Sequence, residues 1–551
     1  MNRRPLGRNR TLAALAGVTL VALLARLFAL GVRVFHWDEA RVGYWTLRYL
    51  DSGLWEYRAI MHGPFLFHVN KNLFAAFGPS DFLARVVVAL VGGLLPLAAW
   101  LFRDRLRDVE IVLLGGFLAL NPILLYYSRF MRNDVLVAGF SLVALGLFVR
   151  LIDTGKHRYL YAGVLFFGLA AATKEVVVVY LGVWLGALTL LLDHRLFVAR
   201  VRDRRWQSIA REYLVRLYRA LGQYWVPIAI AVAEFLFIIV IFYAPRPDLF
   251  QALADPTRLP AVIDAATLGS WEKLQSLWIE GGHKHSYVAF LRHALEMTAY
   301  ASLPLAGFAV LGFVVDRYAG EEPRDLVAFA AYTGGAIFFI YPAITDISAP
   351  WSLVHAMVPL AIPAAVGVRL IVDRGIEAHG SEDMVGVGLA AIVVLAVVAQ
   401  VGITAIETSY RSPQADGNPL VQYGQPAGDL QPRFADIDAI AAQNEGTDVL
   451  FYGDHFYLAD ESAKEQFPSQ GNWLNRMPLS WYLEKSDATV DSTVELAEVQ
   501  GDVPVVIARA EHYGELQGRL EGYEALTYEI TSTNTETVFF IKTSALEAAG
   551  R

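Results

Sequence analysis

Long apolar runs, separated by short polar ones, fill the chain up to about residue 404 and predict a succession of membrane-crossing helices. A hydrocarbon core about 30 Å thick needs roughly 20 predominantly apolar residues in helical form. Runs at 11–34, 82–102, 109–128, 134–152, 159–173, 175–192, 225–243, 297–315, 325–342, 352–372 and 384–404 meet that pattern, giving about eleven spans. The fifth and sixth are short and must be separated by a tight turn at Thr173-Lys174-Glu175. The first run follows Arg3, Arg4, Arg8 and Arg10, as the apolar part of a signal peptide would. It is too long for that role and contains Arg26 and Arg33, so it is read as an uncleaved anchor.

Beyond residue 404 the pattern changes. A Pro/Gly/Gln-rich connector is followed by short β-rich runs at Val449–Tyr452, 503–508, 525–530 and 537–542. Helical periodicity appears at 434–442 and 511–520. The expected architecture is therefore an α-helical polytopic membrane protein over 1–404, a linker over 405–431, and a C-terminal soluble α/β domain over 432–551.

Composition sharpens this division. Apolar residues make up 55% of the chain and charged ones 18%, against about 25% in a soluble globule. Residues 405–551 hold 24 Asp/Glu and 9 Lys/Arg, whereas the preceding 404 hold 30 and 37. A dense carboxylate surface stays hydrated in high salt, although an ordinary acidic domain has the same signature. The absence of cysteine excludes disulfides, thiolate nucleophiles and Cys-ligated metal centres.

Lys/Arg bias in the short loops sets the expected orientation. With the N-terminus inside, the cytoplasmic segments hold 21 Lys/Arg and the opposite set 12. An odd number of spans then places the tail outside. The densest basic segment, 194–219, also carries Trp206, Ile209, Leu214 and Leu217, and reads as an amphipathic helix on anionic headgroups rather than a nucleic-acid site.

Polar groups collect in the outer turns. The first opens with His36-Trp37-Asp38-Glu39 and runs through Met61-His62-Gly63-Pro64, with two short amphipathic helices expected between Glu39 and Phe77. The next holds Arg129, Arg132 and Asp134, the third Lys174 and Glu175, the fourth His283 and His285, and the fifth Trp351, with His355 just beyond. If the spans form one bundle, these turns converge on one cavity facing away from the cytoplasm. Such a set suits group transfer from a lipid phosphate: the leaving group departs as an anion and needs fixed cations, here Arg129, Arg132 and Lys174. The acceptor hydroxyl needs a carboxylate base, Asp38 or Glu39, with Asp134 as a further acid in reach. Each residue also has a plainer reading. Asp38 and Glu39 can solvate a helix end, Arg129 and Arg132 can snorkel, and Lys174-Glu175 can be a turn pair. Arg26 and Glu234, both within spans, are expected to satisfy each other or a bundle partner. His283 and His285 suit hydrogen bonding better than metal binding, and no metal site or cofactor is expected.

These residues resemble a known family. Asp38-Glu39 at the head of a long first outer loop is similar to the acidic motif of GT-C glycosyltransferases. That class includes the protein O-mannosyltransferases (glycosyltransferase family 39) and the lipid A aminoarabinose transferases. His62-Gly63-Pro64, Ser80-Asp81-Phe82-Leu83-Ala84-Arg85, Ser128-Arg129…Arg132-Asn133-Asp134 and the segment ending in Lys174-Glu175 fall where that family carries its motifs. More narrowly, the chain resembles an archaeal branch labelled flippase-activity-associated proteins of the N-glycosylation pathway. The signals are Lys174-Glu175, Gly282-His283-Lys284-His285-Ser286-Tyr287, Ala349-Pro350-Trp351…His355 and Val421-Gln422-Tyr423-Gly424-Gln425-Pro426. The resemblance implies a GT-C-like bundle and a polyprenyl (dolichyl) phosphate-linked sugar as donor. It also implies a glycan, lipid or protein acceptor, Asp38 as catalytic carboxylate, and Arg129 and Lys174 as phosphate contacts. It leaves open a non-catalytic part in flipping dolichyl-phosphate-linked sugars. A secondary transporter fits less well, because the carboxylates sit at the interface rather than the midplane.

Overall fold

The apolar runs fold as helices whose ends follow the polar residues and prolines that interrupt them. The computed structural model describes residues 7–551 except 61, 202–205, 281–284, 320–322, 346, 416, 422–423, 427–429, 463–470 and 531–534. The helices begin with α1 (Arg8–Leu27), the amphipathic α2 (Trp37–Ser52) and α3 (Phe65–Phe77), and α4 (Asp81–Leu94). Next come α5 (Asp108–Leu120), α6 (Pro122–Tyr127), α7 (Asp134–Thr154), α8 (Arg158–Thr173), α9 (Val177–Val201) and α10 (Trp206–Tyr243). After the short α11 (Asp248–Ala254), α12 (Leu259–Asp264) and α13 (Ser270–Glu280) come α14 (Tyr287–Ala301), α15 (Leu303–Val314) and α16 (Asp325–Ile344). Two long helices, α17 (Leu353–Gly380) and α18 (Met384–Ile406), complete the membrane region. The tail carries α19 (Gln431–Ala441), α20 (Leu479–Lys485), α21 (Tyr513–Gln517) and α22 (Thr543–Ala548). Its strands are β1 (Val449–Tyr452), β2 (Val490–Thr493), β3 (Val505–Arg509), β4 (Tyr523–Glu529) and β5 (Glu536–Lys542).

Among the described residues seven stretches are long and apolar enough to cross a membrane, and a bent pair, α14 with α15, makes an eighth. α8 and the first part of α9 are shorter apolar helices. Eleven spans was therefore an approximate count, and two departures from it have clear causes. The run at 109–128 breaks between α5 and α6 because Pro122 has no N–H to continue the ladder, while Asn121 accepts from the Leu124 N–H at 3.2 Å and restarts it. The run at 297–315 bends by 98° at Ser302. The two breaks meet, since Asn121 Nδ2 donates to Ser302 Oγ at 2.7 Å. The expected amphipathic segment is divided between the end of α9 and the start of α10, and α10 continues through Pro227 into the seventh span. Its Arg211, Arg216 and Arg219 are exposed, whereas Arg202, Arg204 and Arg205 lie outside the described residues.

The chain forms two compact units. The first comprises Met1–Phe28, Trp55–Leu66 and Val87–Arg411. Its most enclosed helix is α17, buried almost continuously from Leu353 to Val368 and packed by α15, α16, α18 and α5. By contrast α18 turns Leu389, Ile392, Leu395 and Val398 outward, an apolar surface that water would penalise and lipid would not.

The second unit comprises Ala29–Leu54, Phe67–Val86 and Ser412–Arg551, so it joins the tail to parts of the first loop. Its sheet runs β2-β1-β3-β5-β4, with β1 parallel to β2 and β3, and β5 antiparallel to β3 and β4. β2 was not expected, because Val-Asp-Ser-Thr is short and polar and only its neighbour makes it a strand. Inside this unit Asp81 accepts from Trp481 Nε1 (3.0 Å), the Tyr482 hydroxyl (2.8 Å) and Gln431 Nε2 (3.2 Å). Trp481 stacks on Phe35 at 4.8 Å, and Tyr482 on Phe434 at 3.7 Å.

Candidate active site

The first unit buries a carboxylate among cations. Asp134 opens α7, where the helix dipole favours negative charge. Its Oδ1 accepts from Lys174 Nζ at 2.6 Å and lies 3.2 Å from His355 Nε2; its Oδ2 is 3.4 Å from Arg132 Nε. The far side of the imidazole is fixed as well, with His355 Nδ1 2.8 Å from the Tyr180 hydroxyl and the ring stacked on Tyr341 at 4.9 Å. A Tyr180 hydroxyl donating to Nδ1 leaves Nε2 to carry its proton toward Asp134. The Arg132 guanidinium sits 3.8 Å over the Trp351 ring. Lys174 becomes available because α8 ends at Thr173 and the backbone turns extended at residue 174.

The residues before and after Lys174 are fixed from a distant loop. The Gly63 N–H donates to the Thr173 carbonyl at 3.0 Å, and a Cβ at Gly63 would come within 2.5 Å of the Ala172 oxygen, so only glycine fits there. His62 is buried alongside. Glu175 is buried too: Tyr57 donates to its Oε1 at 2.7 Å, while its Oε2 meets no donor among the described residues. Tyr57 packs at 4.8 Å on Tyr243, whose hydroxyl donates to the Ala171 carbonyl at 2.8 Å.

Arg129 has a different setting. Its Nη1 donates to the carbonyls of Ala25 (3.1 Å), Arg26 (3.0 Å) and Phe28 (2.6 Å), which are left open where α1 ends. The guanidinium also lies 4.7 Å over Tyr410. Arg26 does not meet Glu234. It donates instead to the carbonyls of Leu118 (3.2 Å) and Ala119 (2.7 Å), supplying at the end of α5 the donor that Pro122 lacks.

The second unit holds Asp38 and Glu39, and gives them different surroundings. His36 caps α2, accepting the Asp38 N–H at 3.0 Å, while its own N–H donates to Glu39 at 3.0 Å. Glu39 is wholly buried and receives Arg33 Nη2 (2.8 Å), Arg85 Nε (2.8 Å) and Arg85 Nη2 (2.9 Å). Burial alone would push this carboxyl up, but the two guanidiniums outweigh it and hold it well below the ordinary range. Glu39, paired with Asp38 in the sequence reading as a candidate base, is thus the acceptor that locks the loop and a poor proton acceptor. The Asp38 side chain keeps 12% of its surface exposed. The connector holds the same turn: the Trp37 N–H donates to the Gly424 carbonyl at 2.8 Å and Arg33 Nη1 to Gln425 Oε1 at 2.5 Å.

His285 is partly buried, its Nε2 2.9 Å from the Thr345 carbonyl, and His283 lies outside the described residues, as do Met61, Gly282, Lys284, Gln422 and Tyr423. Among the described residues no group of three or more His, Asp or Glu is placed to hold a metal ion. Sequence reasoning left His355, Tyr180 and Trp351 out of the candidate set, and Arg33 and Arg85 out of the Glu39 lock. Trp351 and His355 carried a signal as members of one short motif, but Tyr180 sits in an apolar run and carried none.

Residues 430–542 match the family model described as the Agl23 flippase-associated protein C-terminal domain, and residues 61–204 match that of dolichyl-phosphate-mannose-protein mannosyltransferase. Each match covers about a fifth to a quarter of the chain, and the fold is GT-C-like. Solved GT-C structures share the fold. ArnT from Cupriavidus metallidurans in the apo state is 16% identical, with 97% of this chain and 99% of that one covered and a TM-score of 0.57. The same protein bound to undecaprenyl phosphate is likewise 16% identical, with 98% and 99% covered and a TM-score of 0.56. The apo oligosaccharyltransferase of Archaeoglobus fulgidus is 12% identical, with 95% and 73% covered and a TM-score of 0.52. No curated protein sequence matches the chain. The mannosyltransferase match takes in Arg129, Arg132, Asp134, Lys174 and Glu175, whereas Asp38 lies before it and His355 after it.

Proposed function

We propose that this GT-C-like chain transfers a sugar from a polyprenyl (dolichyl) phosphate donor to a hydroxyl of a glycan, lipid or protein acceptor, on the non-cytoplasmic face of the cell membrane. The acceptor oxygen attacks C1 of the sugar as the bond from C1 to the phosphate oxygen breaks, inverting the configuration. The electron pair leaves with the phosphate, and the acceptor proton passes to a carboxylate, the role assigned to Asp38. Lys174 and Arg132 are assigned the charge that develops on the departing phosphate. Arg129 contributes by fixing the turn in which Arg132 stands. The observation that carries this reading is the buried Lys174–Asp134–His355 cluster, built largely from the segment matched by the mannosyltransferase family. Relatives in fold support the donor class: ArnT has been solved with undecaprenyl phosphate, and the Archaeoglobus fulgidus AglB with dolichol-phosphate.

The match of the tail to a flippase-associated domain favours a second reading, participation in flipping dolichyl-phosphate-linked sugars without catalysis. Reconstitution with a dolichyl-phosphate hexose and an acceptor separates the two. Under the enzyme reading the wild type transfers, and Asp38→Asn folds but loses about 10²–10⁴-fold in rate. Lipid translocation with no transfer by the wild type selects the accessory role. The sidedness, N-terminus inside and tail outside, rests on the Lys/Arg bias. It is tested by labelling single engineered cysteines in this otherwise cysteine-free chain.

A further inference from the structure

The tail contains a cleft that the transfer chemistry does not use. Two neighbouring parallel strands, β1 and β3, send their outgoing chains to opposite faces of the sheet. After β1 the chain covers the face bearing Phe451, where Phe456 packs at 5.3 Å and Arg476 lies 4.4 Å over the ring. After β3 it covers the other face, where Leu516 and Leu520 join Leu450, Tyr452, Val506, Ala508, Val538 and Phe540 in one apolar cluster. Where adjacent strands part in this way, a crevice opens beyond their carboxyl ends, and open α/β sheets bind ligands in such crevices. Gly453 lets the chain leave β1 sharply, with φ of 97°, and a Cβ there would lie 2.8 Å from His512 Nε2.

A cavity of about 730 Å³ extends from this end of the sheet across to β4 and β5, lined by His455 after β1, Arg509 and Glu511 at the end of β3, and Glu529, Thr535 and Glu536 where β4 ends and β5 begins. Its size falls within the roughly 300–1,000 Å³ of small-ligand sites. The lining is polar and of both kinds. Three carboxylates accept hydrogen bonds, while Arg509, held at 3.0 Å by Glu511, and Thr535 donate. Burial, then the nearby Arg509, pushes the His455 imidazole below its ordinary value, and its buried Nε2 meets no partner among the described residues. Three carboxylates against one guanidinium repel a phosphate or other anion. No three acidic or imidazole groups among the described residues are placed to hold a metal ion. Hydroxyl groups, which accept and donate at once, match this lining.

We propose that the cleft running from the carboxyl ends of β1 and β3 to the adjoining ends of β4 and β5 is a binding site for an uncharged oligosaccharide. The inference stands on the tail alone and holds whether the membrane unit transfers sugars or assists their flipping. It is tested on the full-length protein in nanodiscs, by calorimetric titration with neutral hexose trisaccharides, the same trisaccharides ending in a uronic acid, and inorganic phosphate. The expected result is binding of a neutral trisaccharide that weakens tenfold or more in Glu529→Gln/Glu536→Gln and in Arg509→Ala, with the unfolding midpoint unchanged. Should the double variant not fold, saturation-transfer NMR on each single Glu→Gln variant gives the same comparison. The proposal is overturned if no neutral trisaccharide binds, if the variants bind as the wild type does, or if phosphate or the uronic acid form binds as tightly.

Discussion

Glu39 and Asp134 are both buried carboxylates among cations, but their partners differ in kind. Glu39 is held by two planar guanidiniums and a backbone N–H, all within 3.0 Å, in a geometry that fills its acceptor sites. Asp134 is held by an ammonium at 2.6 Å, an imidazole at 3.2 Å and a guanidinium at 3.4 Å, the last also engaged by Trp351. A guanidinium fork is pre-organised and costly to dislodge, whereas an ammonium on a flexible stem exchanges one anion for another. The first arrangement is built to hold a loop, and the second is the one to which the proposed reaction assigns a cation for the phosphate.

The sharpest way to break this contrast is at the lock. Glu39→Ala strands Arg33 and Arg85 in a dry interior, and unfolding in detergent should show a loss of about 3–5 kcal/mol. A loss below about 1 kcal/mol would mean the guanidiniums find other partners. Next, Lys174→Ala should lower kcat/KM for a polyprenyl-phosphate donor by about 10²–10³, with Lys174→Arg recovering part of it. Equal kinetics for wild type and Lys174→Ala would remove Lys174 from the phosphate role. A pH titration sharpens the comparison from the other side. Because Glu39 is held below its ordinary value, its contribution is full above the unfolded-chain value of about 4.3 and drains away as pH falls through the folded one. Glu39→Gln should flatten that acid limb of the stability curve, and an unchanged limb would assign it to other carboxylates. The smallest effect is expected from Trp351→Leu, which removes the ring beneath Arg132 at a cost of about 0.5–2 kcal/mol. Unfolding midpoints of the single and Arg132 double variants measure it.

Legibility of the site followed chain proximity. Asp38, Arg132, Asp134 and Lys174 stand at the ends of apolar runs, where a polar residue has a visible reason to be questioned. Tyr180 is one aromatic in a run of valines and leucines, and nothing local marks it as the partner of His355, 175 positions away. Arg85 sat within a quoted motif, yet only its neighbours reveal that it neutralises Glu39.

A multispan membrane chain with an acidic α/β tail was already legible along the chain, because transfer of apolar helices out of water depends on run length and composition alone. The sequence also marked most helix ends, since prolines, caps and glycines act within a few residues of themselves. Packing, in contrast, set the joining of the tail with Ala29–Leu54 in one compact unit, the meeting of the two broken helices at Asn121 and Ser302, and the pairing of Glu39 with Arg33 and Arg85. Those outcomes depend on donors and acceptors brought together across tens to hundreds of residues, and a buried polar group chooses its partner by distance in space.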